Sequence, residues 1–471
     1  MTLTSLWQDR HAPTEPAQPS EVGGHYNVAV VGGGLTGLTT ALLLGRAGRS
    51  VVVLEAGPIG HGTTGRSTAK VSLLQGTRLS AIAGKHDAEM VGHYVEAQRE
   101  GFAWLAQFCD EHGVDVQHRD AYTYANQASG ESTLRKELEV AERAGLKVEW
   151  VDEAPLPFPI RGAVRLADQL QLDPMELLGA LAAQATAHGV DVVERVRVEK
   201  VRGSGPVRLG TSAGDVTADR VVVATNMPIL DRGGFFARME PARSYCLAFR
   251  TERPAVDAMY LSADQPSRSL RDAPSDDGGH LLLVGGNGHR VGRRGSTVLR
   301  LEELRRWTAE HWPDAVETHA WSAQDYLPHH SLPFAGPVLP GTTSIRVAGG
   351  YSKWGMTNAV SASLALTAQL LGGHIEWSEA FRTWSRHEVS GLAKAAKANG
   401  EVGFEMTRGW LDVAIHLSTR HDDVSRVCTH LGGIVNWNDA ESSWDCPLHG
   451  SRFDEDGGVL EGPAVCGLRR A

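Results

Sequence analysis

The chain has 471 residues, and at a rough prior of 100 to 200 residues per domain it divides into about three. Its 42% hydrophobic and 22% charged content is that of a globular protein, and no run approaches the roughly 18 uninterrupted apolar residues a membrane-spanning helix needs. A net charge of -10 with no basic block argues against a nucleic-acid partner and leaves a small molecule or a protein. Residues 1–24 are polar, lack an apolar segment and read as a loose leader rather than a secretion signal, so a cytoplasmic location is expected. The five cysteines, Cys109, Cys246, Cys428, Cys446 and Cys466, are too sparse for a disulfide scaffold.

Residues 26 to 31, YNVAVV, are an apolar run of strand length, followed by GGGLTGLTTALLLGRAG and then SVVVLEAG. Gly32, Gly34 and Gly37 have the GxGxxG spacing between a strand and an apolar helix, and Glu55 ends the next strand. Gly32 makes the tight turn, Gly34 admits a pyrophosphate against the backbone, and Gly37 lets helix meet strand. The helix N-terminus, with Leu35 and Thr36, offers positive potential to the phosphates, while Glu55, followed by Ala56, can accept from a ribose diol. The motif predicts a Rossmann-type dinucleotide site and does not choose between FAD and NAD.

The next stretch, GHGTTGRSTAKVS at residues 60 to 72, carries hydroxyls at Thr63, Thr64, Ser67 and Thr68 and cations at Arg66 and Lys70. It resembles the second FAD-contact segment of the D-amino-acid oxidase and glycine oxidase superfamily, and the likeness recurs along the chain. Residues 171 to 189 carry their own helix punctuation, with Asp173 as N-cap, Pro174 at the first position and Gly189 past the end. Two strand-like segments follow; the resemblance lays the first along an adenine near Val198 and ends the second in a turn of Ala224, Thr225 and Asn226, with Asn where Gly is usual. Residues 321 to 337 look like the family segment before the last loop, except that His330 stands where an acid is common.

Residues 344 to 373 then read as strand, glycine-rich loop and buried helix, with Gly350, Gly355, Met356 and Thr357 near the flavin and Thr357 or Asn358 as helix cap. The resemblance also allows Lys70, Tyr351 and Trp354 to line the flavin. Residues 281 to 292, LLLVGGNGHRVG, hold Gly285, Gly286 and Gly288 without GxGxxG spacing and read as a turn, so no NAD(P)H site is visible.

Near the C-terminus, Cys428 and His430 form a Cys-x-His pair, and 15 residues separate His430 from a Cys-x-x-His pair, Cys446 and His449. Such a Cys2His2 set suits a Rieske [2Fe-2S] centre, two thiolates on one iron and two imidazoles on the other, and zinc or a cluster-free relic remain alternatives. CTHLGG, DCPLHGSRFD and GGVLEGPA resemble Rieske domains. In many of those a disulfide ties the two cluster loops; Leu448 and Gly433 occupy both of its positions here, while Ser451 can hydrogen-bond a cluster sulfur. Fewer residues than usual precede Cys428.

The resemblance therefore implies an α/β FAD-binding Rossmann-type domain (25–85, 165–235 and 336–376) with an inserted α+β substrate domain (86–164 and 236–335). A helical linker (377–404) and a small all-β Rieske domain (405–471) follow. Such a fusion suggests a dehydrogenase. The expected reaction oxidises an amine or amino acid by hydride transfer to FAD, and the [2Fe-2S] cluster passes electrons to a redox protein or quinone. Family members often use no side-chain base, so no catalytic residue is named. A cluster that feeds the flavin in a reductase or monooxygenase-like enzyme, and a redox sensor without turnover, are the alternatives.

Overall fold

Valine-rich runs without alternation, such as YNVAVV and VVVL, suit strands covered on both faces. The computed structural model describes residues 3–12, 21–275, 277–416, 420–421 and 424–470. An eight-stranded sheet has the order Phe334–Pro337, Ile345–Gly349, Gly214–Val223, His25–Val31, Val51–Leu54, Val190–Val193, with the Val198–Arg202 and Val207–Thr211 hairpin attached to Gly214–Val223. From Ile345–Gly349 to Val190–Val193 the pairings are parallel. Their carboxyl ends therefore share one edge, where open α/β sheets bind ligands.

The Leu35–Arg46 helix follows the first strand through the glycine turn. A Cβ on Gly37 would lie 1.9 Å from the Gly32 carbonyl oxygen, so only glycine lets this helix sit so close to the turn. Asp173 caps the Pro174–Ala187 helix, its carboxylate accepting from the Met175 and Glu176 amides.

A nine-stranded sheet has the order Val316–Pro328, Met239–Thr251, His280–Arg290, Arg268–Pro274, Met259–Ser262, Val116–Ala125, Gly162–Leu172, Lys70–Val71, with Glu149–Val151 on the flank of Gly162–Leu172. It is antiparallel except where Met259–Ser262 joins Val116–Ala125. The strand Gly162–Leu172 runs through position 164, and Lys70–Val71 brings the flavin-side segment into this sheet. The two layers are thus stitched together at the cavity described below.

Three expectations are corrected. Residues 281 to 290 are no turn, because His280–Arg290 is a strand, hydrogen-bonded on both sides from His280 to Gly286 and irregular at Asn287 (φ 55°). The N-terminal residues are not all loose: Leu6–Arg10 is a helix whose Trp7 is fully buried. Thr357 and Asn358 do not cap their helix, which starts earlier, at Gly355.

Toward the C-terminus the His387–His416 helix runs past position 404. A four-stranded antiparallel sheet follows, Asn436–Asn438, Ser443–Asp445, Arg452–Phe453 and Val459–Glu461, over a small core of Val435, Trp444, Phe453 and Leu468. Upstream strand is short, a pairing of Arg420–His421 with Val424–Ser425. The long helix supplies cover instead: Val402 packs on this core, and the Trp410 indole donates to the Gly432 carbonyl at 3.1 Å. Among the described residues no helix is long and apolar enough to cross a membrane.

Candidate active site and cluster centre

At the carboxyl edge of the parallel sheet lies a cavity of about 770 Å³ that reaches across to the nine-stranded sheet. Gly32, Gly34, Leu35, Thr36, Glu55, Ala56, Thr63, Thr64, Ser67, Thr68, Lys70, Ala224, Thr225, Gly355 and Met356 line it. Gly34 opens the Leu35–Arg46 helix without a side-chain cap of its own; the Leu35 amide donates to the Thr64 hydroxyl at 3.3 Å, and the dipole of this helix start suits an anion. Glu55 sits where an adenosine ribose would approach; its carboxylate accepts from the Gly33 amide at 2.6 Å and the Gly57 amide at 2.8 Å. Burial raises its pKa against these two N–H donors.

The 60–70 loop is pinned from behind by two indoles: Trp7 donates to the Ser67 carbonyl at 2.8 Å and Trp321 to the Arg66 carbonyl at 2.9 Å. Arg271 adds a donor to the Thr68 carbonyl at 2.6 Å. Arg66 itself turns a guanidinium toward the cavity with no hydrogen bond or ion pair among the described residues, and burial together with Arg243 presses its pKa down. Lys70 is buried and donates to the Tyr260 carbonyl at 2.7 Å and the Ser269 hydroxyl at 2.8 Å. Burial, then the Arg271 charge, lowers it to about 7. An uncapped helix start, a free guanidinium and a glycine cradle are donors suited to a pyrophosphate, so the residues present fit FAD.

Four of the expected residues are not among those that line the cavity. Gly37 serves the helix-strand approach. Val198 points into the core under its hairpin, and its neighbour Arg197 lines the cavity instead. Gly350 is a left-handed turn (φ 74°) packed on Pro328 and Met239. The Thr357 hydroxyl is taken up by Gln98 at 2.6 Å. Tyr351 and Trp354 line the cavity, the Tyr351 hydroxyl 2.8 Å from that of Thr36. His330 is buried away from the cavity and turns to Glu388 at 3.5 Å.

Asn226 replaces glycine at a left-handed position (φ 60°) that Asn tolerates, and it uses its amide to hold Asp325 at 2.9 Å and to accept from Gly350. Gly285, Gly286 and Gly288 also wall the cavity, and glycine inside a paired strand is the sequence signal of close approach that a turn assignment hides. Three residues of the C-terminal module, Leu460, Glu461 and Gly462, close one side.

In that module two tight loops face each other. The Cys428 amide donates to Gly433 at 2.8 Å and the Cys446 amide to Ser451 at 2.8 Å. The two thiols hydrogen-bond one another, which lowers Cys428 to about 7 and raises Cys446; the amides of His430 and Leu431 and the Ser451 hydroxyl also favour a Cys428 thiolate. The His430 and His449 rings lie 5.3 Å apart, edge to face. His449 Nδ1 is buried without a hydrogen-bond partner, and burial, then His430, lowers the ring to about 4, keeping it a neutral ligand. The thiols of Cys428 and Cys446 thus face each other, and so do the two imidazoles, as two pairs. That is the donor set of a binuclear cluster with two protein ligands per iron.

The five cysteines form no disulfide. Leu448 packs where a Cβ on Gly433 would fall, at 2.6 Å, so the leucine fills the space between the loops.

The family model for FAD dependent oxidoreductases matches residues 27–370. The chain belongs to that family. The model for the Rieske [2Fe-2S] domain matches residues 418–470 of the same oxidoreductase, so it binds FAD in the first region and a [2Fe-2S] cluster in the second. The Rieske 2Fe-2S iron-sulfur protein YhfW of Bacillus subtilis strain 168 is 30% identical across 94% of this chain and 93% of its own length. Gamma-glutamylputrescine oxidoreductase of Escherichia coli K12 is 29% identical over 44% of this chain and 50% of its own. Among solved structures, glycine oxidase from Geobacillus kaustophilus superposes with a TM-score of 0.64 at 19% identity, covering 77% of this chain and 99% of that one.

Proposed function

We propose that this oxidoreductase dehydrogenates an amine or amino acid and passes the electrons to its Rieske cluster and on to a one-electron acceptor. The observation that carries the reading is the shared wall: Leu460, Glu461 and Gly462 of the Rieske module border the cavity that Gly34, Thr64 and Arg66 open from the flavin side. The glycine oxidase fold and the partial likeness to an enzyme named for an amine substrate support that substrate class. When bound, FAD takes the hydride from the carbon bearing nitrogen and the cluster moves electrons singly.

The chain's own part is placement. Gly32, Gly34 and the start of the Leu35–Arg46 helix hold the pyrophosphate with Arg66, and Glu55 with Ala56 holds the ribose. Gly355 and Met356 bring the uncapped start of the Gly355–Leu370 helix to the cavity, where its dipole would favour negative charge on a bound flavin. Lys70, with Ser269, lines the wall opposite. Its pKa near 7 lets it exchange a proton at neutral pH.

An anaerobic screen of amines and amino acids, monitored by flavin bleaching and by the EPR signal of the reduced cluster, tests this. One substrate class should bleach the flavin and then raise the cluster signal without added reductant. Bleaching that requires a reductant acting first on the cluster would instead establish the reverse flow. No bleaching by any amine would remove the substrate assignment.

A further inference from the structure

The histidine edge of the cluster site is covered, and its cover comes from the flavin body. The His430 side chain is only 6% exposed, and His449 as a whole residue 5%. Phe236 stands over both, its ring 5.2 Å from that of His430 and 4.8 Å from that of His449. Asp231 holds His430 Nε2 at 2.8 Å from the outside. Both belong to the stretch that leaves the parallel sheet after Gly214–Val223. The same stretch lines the cavity at Ala224, Thr225, Asn226 and Ile229. From Ile229 to Asp231 is two residues, at most about 7 Å between Cα atoms. One short segment therefore has the flavin cavity on one end and the cluster ligands on the other.

The choice of edge has a chemical reason. Thiolates give their iron more negative charge than neutral imidazoles give theirs, so an added electron settles on the imidazole-bound iron. With that edge taken by the flavin body, an external acceptor has to receive its electrons from another side of the module. Here the seating is also fixed in place: Arg197 donates to the Val459 carbonyl at 3.0 Å, and the Gln324 amide to the Gly450 carbonyl at 2.8 Å, beside the second ligand pair.

We propose that residues 229–236 are the internal route for electrons between flavin and cluster, with Phe236 and Asp231 as positioning residues that clamp the histidine edge to the flavin body. This rests on the reading above that the two cofactors exchange electrons. Oxidation of one substrate C–H bond delivers two electrons and a proton as hydride and frees a second proton from nitrogen, so two successive one-electron transfers cross this contact. Two oxidised equivalents of a one-electron redox protein are consumed and the two protons pass to solvent, or one quinone takes both electrons, one after the other, with two protons.

The experiment uses the holoprotein with flavin reduced photochemically, so no substrate is needed, and follows cluster reduction by its visible bands and freeze-quenched EPR. In the wild type, cluster reduction should be fast and independent of protein concentration. Phe236→Ala should slow it on the order of 10-fold to 100-fold, the scale on which roughly 1 Å misplacements act, with flavin and iron content unchanged, and Phe236→Leu should recover most of the rate. Asp231→Asn, which removes a negative charge beside His430, should raise the cluster midpoint potential, a shift that a merely structural role would not produce. A wild-type rate that climbs with protein concentration, or an unchanged rate in Phe236→Ala, overturns the proposal. Photoreduced flavin that reduces the cluster in a protein no amine bleaches would sink the substrate reading and leave this one standing.

Discussion

Leu448 and Gly433 meet where a Cβ has no room, since one added to Gly433 would approach Leu448 Cδ1 to 2.6 Å and Cys446 Sγ to 3.1 Å. Gly433→Ala should therefore cost about 1–3 kcal/mol by overpacking and loosen iron binding. Leu448→Ala in the same chain should relieve that strain, so the double variant falls short of the sum of the singles; denaturation midpoints and iron content give the comparison. Lys70 supplies a pH test. Burial lowers it from 10.5 to about 7, so between those values the unfolded chain holds a proton the folded chain lacks. Stability then rises with pH at up to about 1.4 kcal/mol per pH unit, while below pH 7 the full cost of burying the charge is present. Lys70→Met should flatten the slope between pH 7 and 10 in flavin-free protein, and equal slopes would count against the assignment. The four cluster ligands are legible in sequence because Cys-x-His and Cys-x-x-His are local spacings. The Val198 side chain lies in the core and that of Arg197 at the cavity because neighbouring residues of an extended chain point to opposite faces.

The Leu6–Arg10 helix shows what a short element can do at a distance. Ser5 donates to the Gly65 carbonyl at 2.7 Å, Gln8 to the Gly60 carbonyl at 2.9 Å, and Trp7 to Ser67, so three contacts fix the loop that carries Thr63, Thr64 and Arg66. Trp7→Ala empties a fully buried site and should cost about 3–5 kcal/mol, with weaker flavin retention following because the loop loses its backing. Flavin fluorescence on dilution reads the second effect, and flavin retained as in the wild type would show that contacts independent of Trp7, such as Arg271 to Thr68, suffice. Composition hides this element, since five helical residues among polar ones carry no periodicity. The opposite holds for the Leu35–Arg46 and Pro174–Ala187 helices, whose glycine turn and Asp-Pro start announce their boundaries. The His280–Arg290 strand is obscured for a third reason: its glycines look like turn residues until a cavity explains them.

At the scale of the whole molecule, the Rieske module is held by buried charge. Arg243, fully buried in the nine-stranded sheet, reaches Glu441 at 2.8 Å and Glu461 at 3.3 Å, and Arg452 completes the network with Glu441, Glu461 and, at 3.0 Å, Asp445. No spacing rule connects positions 198 residues apart, as Arg243 and Glu441 are, so the docking is not legible in sequence. Burial alone would raise the Glu441 and Asp445 carboxyls, yet the two guanidiniums outweigh it and hold both below the ordinary carboxylate value. Their contribution is accordingly full above the unfolded carboxylate pKa and is lost as the pH falls through the depressed folded values. Arg243→Met leaves buried Glu441 and half-buried Glu461 to Arg452 alone and should cost up to about 3–5 kcal/mol, appearing as a separate, earlier loss of the cluster on heating while the flavin is still bound. Adding Glu441→Gln removes one of the acids Arg452 then holds alone and should bring the two transitions closer together. A single transition in Arg243→Met at neutral pH, unmoved from the wild type, would mean that the module is held by its other contacts, among them the Ser296 hydroxyl on Asp439 at 2.6 Å.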